Sequence, residues 1–431
     1  MIFQKGILHK ELPNIKFIPL IQLVQQNELL PMTLILKLMY QLTIILNTIH
    51  FEGQKLEKIR MEDLFVNDCG QLDKLDIFIQ QTLIKEDRPK QEDDLLNLLK
   101  DILIKFGLNP FNINKLKSFE EILYYILEKL NINLKKDDWR QQILQSIYGL
   151  EIKDSKCYNQ NFTHIFSVKV PYYIQTKQDY ILIKWVCVEN QKNRLMEVEN
   201  YKKLKIENNN DNIKQLYCYN LELQNSTLLY LQKFSLTLKE YSVRANGILN
   251  IKEKMKICSK LASELKKLHD RKKIHRDLKP ENIMVTAKEI YTDKLHEITD
   301  QNINQIDQLQ WSIIDYESNI EKGGKDNFKG TQNYLPPENM EEQPYEESYD
   351  IWQMGICFLE FIIQVNFHCT KNKEKRYQSL QQQLEKLNSK DNKSTYSVTM
   401  YEIISKMINS DPKQRPKLED VIKELNSALI N

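Results

Sequence analysis

The stretch from Ile274 to Val285, IHRDLKPENIMV, gathers the groups of this chain best suited to chemistry. Asp277 supplies a carboxylate that can orient a hydroxyl and accept its proton. Asn282 supplies, a few residues on, an amide oxygen able to hold a divalent cation. Transfer of a phosphoryl group calls for both. The bland alternative is a basic–acidic turn ahead of a strand.

Eight consecutive residues, His275-Arg276-Asp277-Leu278-Lys279-Pro280-Glu281-Asn282, match the eukaryotic protein kinase catalytic loop H-R-D-L-x-x-x-N at every defined position. The chain therefore resembles that family. The resemblance implies an α+β, two-lobed fold with a β-rich N-lobe and a helical C-lobe. It assigns the base to Asp277 and one Mg²⁺ ligand to Asn282. Lys279 marks the serine/threonine type, and Arg276 commonly meets a phosphorylated residue of the activation segment. ATP and Mg²⁺ are the implied cofactors, and a protein bearing Ser or Thr the implied substrate.

The same resemblance places the supporting elements. Ile181-Leu182-Ile183-Lys184 stands where the family has V-A-I-K, so Lys184 would contact the α- and β-phosphates. An alternating strand sends Ile183 and Trp185 to the face opposite Lys184. Glu197, in a helical E-V-x-x-Y-x-x-L pattern, would pair with Lys184, with Glu199 as the rival partner. Asp315-Tyr316-Glu317 replaces D-F-G and offers Asp315 as the second metal ligand. Gly330–Glu338 resembles G-T-x-x-Y-x-A-P-E, with Thr331 expected to reach Lys279 and Asp277, and Glu338 to pair with Arg415. Asp350, opening an apolar helix, would anchor the catalytic-loop backbone. Between Glu317 and Phe328 the only hydroxyl is Ser318, so Asp326 is the candidate standing charge for Arg276.

Two departures support an alternative, a pseudokinase scaffold or nucleotide sensor. No glycine lies between Gly149 and Gly247, so the Gly-rich loop is absent ahead of Lys184, and Lys169–Tyr173 is expected at its turn. Glu317 also puts a carboxylate where the family has glycine.

Composition excludes more than it selects. A net charge of +2 over 431 residues implies no nucleic-acid partner. The seven cysteines form no CxxC pair and read as free thiols of a reducing compartment. The apolar run Leu30–Ile49 carries Lys37, Gln41 and Asn47, which suits a core helix rather than a membrane span. With no signal-peptide pattern, the expectation is a soluble, cytoplasmic protein.

Residues 1–150 read as a mostly helical domain, and 155–430 as the kinase-like domain, with lobes at about 160–235 and 236–430. His50 matches His269, and Leu64 and Val66 match Ile283 and Val285, at a constant offset of about 219 residues. The first domain thus resembles a degenerate kinase C-lobe. Lys58 stands at its base position, Asp63 opposite Asn282, Asp76 at the metal-aspartate position, and Asp94 opposite Asp350. Thr286–Leu309 is expected to be a polar loop insertion between two short strands.

Overall fold

The computed structural model describes residues 17–20, 22, 31–51, 54–55, 64–67, 77–79, 84–85, 92–105, 109–158, 163–171, 174, 176, 178–187, 198–201, 216–222, 226–288, 295–325, 330–340, 344–365, 373–388 and 394–430. They fall into two compact units. One comprises Met1–Val198 and Asn212–Lys233, the other Glu199–Asp211 and Phe234–Asn431.

The first unit begins with β1 (Phe17–Pro19) and α1 (Met32–Phe51), whose Leu34, Leu38, Met39, Leu42 and Leu46 are buried. An apolar surface this wide marks a helix enclosed by its own domain. Strands β2 (Leu64–Asn67) and β3 (Ile77–Ile79) join β1 in an antiparallel sheet. Helices α2 (Glu92–Lys105), α3 (Pro110–Asn114), α4 (Phe119–Lys129) and α5 (Trp139–Ser146) follow. Ser118 caps α4 by accepting the Glu121 N–H, satisfying one orphan donor of the first turn.

Five antiparallel strands complete this unit: β4 (Ile152–Tyr158), β5 (Thr163–Lys169), β6 (Tyr180–Cys187), β7 (Leu216–Glu222) and β8 (Ser226–Gln232), in the spatial order β4-β5-β6-β8-β7. On β6, Ile181, Ile183 and Trp185 are buried and alternate with half-buried Leu182 and Lys184. The buried set shares one core with α1 and α4, and the Trp139 ring meets Trp185 edge-on at 5.3 Å. The boundary expected at 150–155 therefore falls inside a unit, because the helices cover the sheet face opposite Lys184.

The first strand of this sheet starts at Ile152, ahead of the lobe start expected at about 160. Residues 159–162, between β4 and β5, lie outside the described residues. Of the segment expected at the turn, Lys169 ends β5, and Tyr172 and Tyr173 lie outside the described residues.

The second unit opens with α6 (Leu238–Arg244) and α7 (Ile251–His269), each started by a capping box, Thr237 with Glu240 and Asn250 with Glu253. Strands β9 (Ile283–Lys288) and β10 (Leu309–Ile313) pair antiparallel. Helices α8 (Glu347–Ile363), α9 (Lys373–Leu387), α10 (Thr395–Met407) and α11 (Leu418–Ile430) close it.

The insertion between β9 and β10 is more ordered than a polar loop. Leu295–His296 pairs back onto Ala287–Lys288, and Ile298, Ile303 and Ile306 are buried. The Tyr241 hydroxyl donates to the Ile303 carbonyl at 2.7 Å, and Lys260 reaches the Ile306 carbonyl at 2.5 Å. Three isoleucines spaced through a polar stretch give it an apolar underside.

The elements α1, β2–β3 and α2 occur in the same order as α7, β9–β10 and α8. Leu64 faces Ile79 as Ile283 faces Ile313. Lys58, Asp63 and Asp76 lie outside the described residues, as does the Asp94 side chain. Among the described residues, no helix is long and apolar enough to cross a membrane.

Candidate active site

Asp350, in the first turn of α8, is fully buried and fixes the backbone from which Asp277 projects. Its carboxylate accepts the backbone N–H of His275 at 2.7 Å and of Arg276 at 2.9 Å, and the His269 ring Nε2 at 2.9 Å. Gln353, three residues on and therefore on the same helix face, donates to the Arg276 carbonyl and accepts the Leu278 N–H, both at 2.9 Å. Two side chains of one helix thus satisfy four backbone groups of a buried loop, which would otherwise carry a desolvation cost. The anchoring by Asp350 was expected; Gln353 and His269 were not. The spacing of Asp350 and Gln353 was the available signal for the former.

Arg276 takes a left-handed backbone, φ 69°, unfavourable for a residue with a side chain. Gly330 lies against this turn at φ 127°, and a Cβ there would stand 2.7 Å from the Arg276 carbonyl oxygen. Only glycine lets the activation segment approach so closely. The segment then delivers Thr331, whose N–H donates to Asp277 Oδ1 at 2.6 Å. Lys279 Nζ donates to Asp277 Oδ2 at 3.1 Å and to Thr331 Oγ1 at 2.8 Å. Asp277, Lys279 and Thr331 therefore meet as expected.

Asn282 Nδ2 donates to the Asp277 carbonyl at 2.9 Å and to its Oδ2 at 3.3 Å. With its amino group so engaged, the oxygen is the part of the amide left for a cation. The Ile314 N–H donates to the Asn282 carbonyl at 2.9 Å, which brings Asn282 beside the approach to Asp315. Asp315 has φ 68°, a second left-handed residue held by its surroundings. An amide and a carboxylate are hard oxygen donors, the kind Mg²⁺ takes when it keeps part of its water shell. The residues present fit that ion.

Tyr316 is stacked into the same unit. Its ring lies 5.7 Å from the His275 ring and meets the Tyr201 ring edge-on at 5.3 Å. Asn200 donates to its carbonyl at 2.7 Å, and its hydroxyl donates to the Ile313 carbonyl at 2.7 Å. His275 Nε2 donates to the Ile314 carbonyl at 2.9 Å, while Nδ1 accepts the Asp277 N–H at 3.3 Å. The ring therefore carries its proton on Nε2.

Arg276 is buried and its Nε donates to the Ser318 carbonyl. Glu338 takes Arg415 in a two-pronged pair, at 2.6 and 2.8 Å, as expected. Burial, reinforced by the Glu360 carboxylate, holds the Tyr334 phenol well above its ordinary range, so its hydroxyl donates to Glu360 at 2.8 Å. Lys184 belongs to the other unit, on β6. Glu197 and Asp326 lie outside the described residues, as does the Glu317 side chain. The rival helix residue, Glu199, is exposed.

Comparison with known proteins places the chain among protein kinases. Residues 155–425, more than half of the chain, match the protein kinase domain family. The chain is 26% identical over 269 residues to the serine/threonine-protein kinase Aurora-2 of Arabidopsis thaliana, a match covering 60% of this chain and 79% of that protein. It is 29% identical over 163 residues to an Aurora kinase of Dictyostelium discoideum, covering 38% of this chain and 36% of that protein, and 28% identical over 161 residues to one of Saccharomyces cerevisiae, covering 37% and 38%. The chain thus spans little more than a third of the length of these last two relatives. The β-rich sheet, the helical unit around the catalytic loop and the extent of the family match lead to one conclusion: this chain belongs to the protein kinase family.

Proposed function

We propose that the chain is an ATP- and Mg²⁺-dependent serine/threonine protein kinase. The carrying observation is the Asp277 carboxylate, with one oxygen on the Thr331 N–H and the other on Lys279. That arrangement holds both carboxylate oxygens in place and aims the group, as a base for an incoming hydroxyl must be. Lys279 balances the charge on the transferring group, and Asn282 and Asp315 would hold the metal. Mg²⁺, when bound, would offset phosphate charge. Lys184, paired with Glu197, would orient the α- and β-phosphates. The free thiols of Cys187, Cys258 and Cys357 support a reducing, cytoplasmic setting.

A second reading, a nucleotide-sensing pseudokinase, is favoured by the glycine-free segment before Lys184. A phosphotransfer assay on a basic Ser/Thr peptide separates the two. Wild type should transfer phosphate, and Asp277→Asn, near-isosteric, should fall by at least about a hundredfold with its fold intact. Equal rates for the two proteins would remove Asp277 from the base role. ATP binding with no transfer to any Ser/Thr peptide would favour the second reading.

A further inference from the structure

The ladder between β6 and β8 ends at Gln232 opposite Ile181. The next residue, Lys233, is the last of the first unit before the chain passes to the second at Phe234, close to the lobe boundary expected at about 235. Its backbone groups are met by one side chain. Gln178 Nε2 donates to the Lys233 carbonyl at 2.5 Å, and the Lys233 N–H donates to Gln178 Oε1 at 3.2 Å. Gln178 is itself held in place. The Tyr217 hydroxyl lies 2.9 Å from Thr176 Oγ1 and 3.3 Å from Gln178 Oε1, and the Gln178 N–H donates to Thr176 Oγ1 at 3.3 Å. Burial raises the Tyr217 phenol above its usual range, which keeps its proton available for donation.

A residue that offers both its N–H and its C=O to one partner reads a donor beside an acceptor. A carboxamide presents that pair, and so does the edge of adenine, with its exocyclic amine next to a ring nitrogen. The kinship of the two groups is familiar from Asn and Gln pairing with adenine through two hydrogen bonds. We infer that Gln178 is an internal stand-in for the adenine edge, occupying the Lys233 backbone until a nucleotide displaces it. The inference rests on the nucleotide-binding reading above and adds a residue that sets base affinity. It is independent of the triphosphate and metal contacts. ATP must break two existing hydrogen bonds before making its own, so the nucleotide is bound more weakly than the donor groups alone would allow.

Removing the stand-in is the test, on the full chain. Gln178→Ala should bind adenosine and Mg·ATP about tenfold more tightly than wild type, the worth of one to two net hydrogen bonds. Inorganic tripolyphosphate, which has no base, should bind both proteins equally, and kcat should stay the same while KM for ATP falls. In the absence of nucleotide, hydrogen exchange at the Lys233 amide should quicken in the variant, and adenosine should slow it again. Unchanged adenosine affinity alongside normal ATP binding would overturn the inference and leave the kinase reading standing. An equal gain for tripolyphosphate would also overturn it, since a general loosening moves both. Failure of either folded protein to bind ATP at any concentration would remove the nucleotide reading and the inference with it.

Discussion

The Arg276 guanidinium lies over the Tyr345 ring, 4.8 Å from its centroid, in the position from which the resemblance had it meeting a phosphate. Tyr345 belongs to a small core with Ile274, Leu335 and Tyr349. Its backbone is tied to the activation segment, with Gly323 N–H on the Tyr345 carbonyl at 2.8 Å and Tyr345 N–H on the Gly324 carbonyl at 3.0 Å. Ile320 and Glu321 pair with Ile274 and Lys273, so the segment is also stitched to the strand before the catalytic loop. A buried arginine facing an aromatic ring gains about 2 kcal/mol when desolvated. The expected outcome is activity that survives phosphatase treatment. Tyr345→Phe should keep it, since the ring does the work, and Tyr345→Ala should lose most of it. Loss of activity on dephosphorylation, with the phosphate mapped to residues 316–340, would contradict this.

Glu338 and Arg415 form the second testable pair. The Arg415 side chain is wholly buried, and its guanidinium also serves the Asn409 and Ser348 carbonyls and lies 5.0 Å from the Trp352 ring centroid. Truncating one partner leaves the other charge buried, which costs about 3–5 kcal/mol. Arg415→Ala should lower the denaturant midpoint without changing the slope. The double variant Glu338→Ala/Arg415→Ala should lose less than the sum of the two single losses. Additive losses would show that the pair does not act as a unit.

How much of this was legible in the sequence follows from how local each signal is. The catalytic loop, Asp315, Thr331 and the Glu338–Arg415 pair carry fixed residue types at fixed spacing, and their contacts were readable before any fold. The capped helices α6 and α7 announce themselves through Thr237 and Asn250. Trp139 on Trp185 was not readable, because it joins helix to strand across a boundary that the polar composition near residue 150 seemed to mark. Gln178 was equally silent, since a glutamine in a turn carries no pattern and its meaning lies in Lys233, far along the chain.

Metal dependence separates the roles of Asp315 and the nucleotide base. Saturation at 100 times the Kd adds about 2.7 kcal/mol to stability. For the kinase domain, residues 155–425, that corresponds to a rise in Tm of about 5 °C. The rise is expected with ATP and Mg²⁺ together and should be small with ATP alone. Asp315→Asn keeps the shape and drops the charge, so the metal-dependent part should vanish while the metal-free Tm stays near wild type. A full Mg²⁺-dependent rise in Asp315→Asn would take that residue out of the metal site.

The helices before residue 150 are structural members of the sheet that carries Lys184. Ile181, Ile183 and Trp185 on β6 and Phe166 and Val168 on β5 are buried in the same core as Ile143 and Leu144 of α5 and Leu38 and Leu42 of α1. Arg140 sits 4.4 Å from the Trp139 ring centroid and 5.9 Å from that of Trp185, and its Nη2 donates to Cys187 Sγ at 3.4 Å. Gln41 on α1 donates to the Ile147 carbonyl at 2.9 Å, locking α1 to the end of α5. A fragment cut at the family boundary, residues 155–431, would expose that apolar face to water. Each large side chain so exposed forfeits about 1.5–3 kcal/mol, and several do so at once. The fragment should aggregate or melt without a cooperative transition. Trp139→Ala in the full chain gives the graded version, with an expected loss of about 3–5 kcal/mol. Lys184 projects from the opposite face, so the folded fraction of that variant should keep its ATP affinity. A fragment 155–431 that is soluble, monomeric and melts as sharply as the whole chain would show that the sheet needs no such cover.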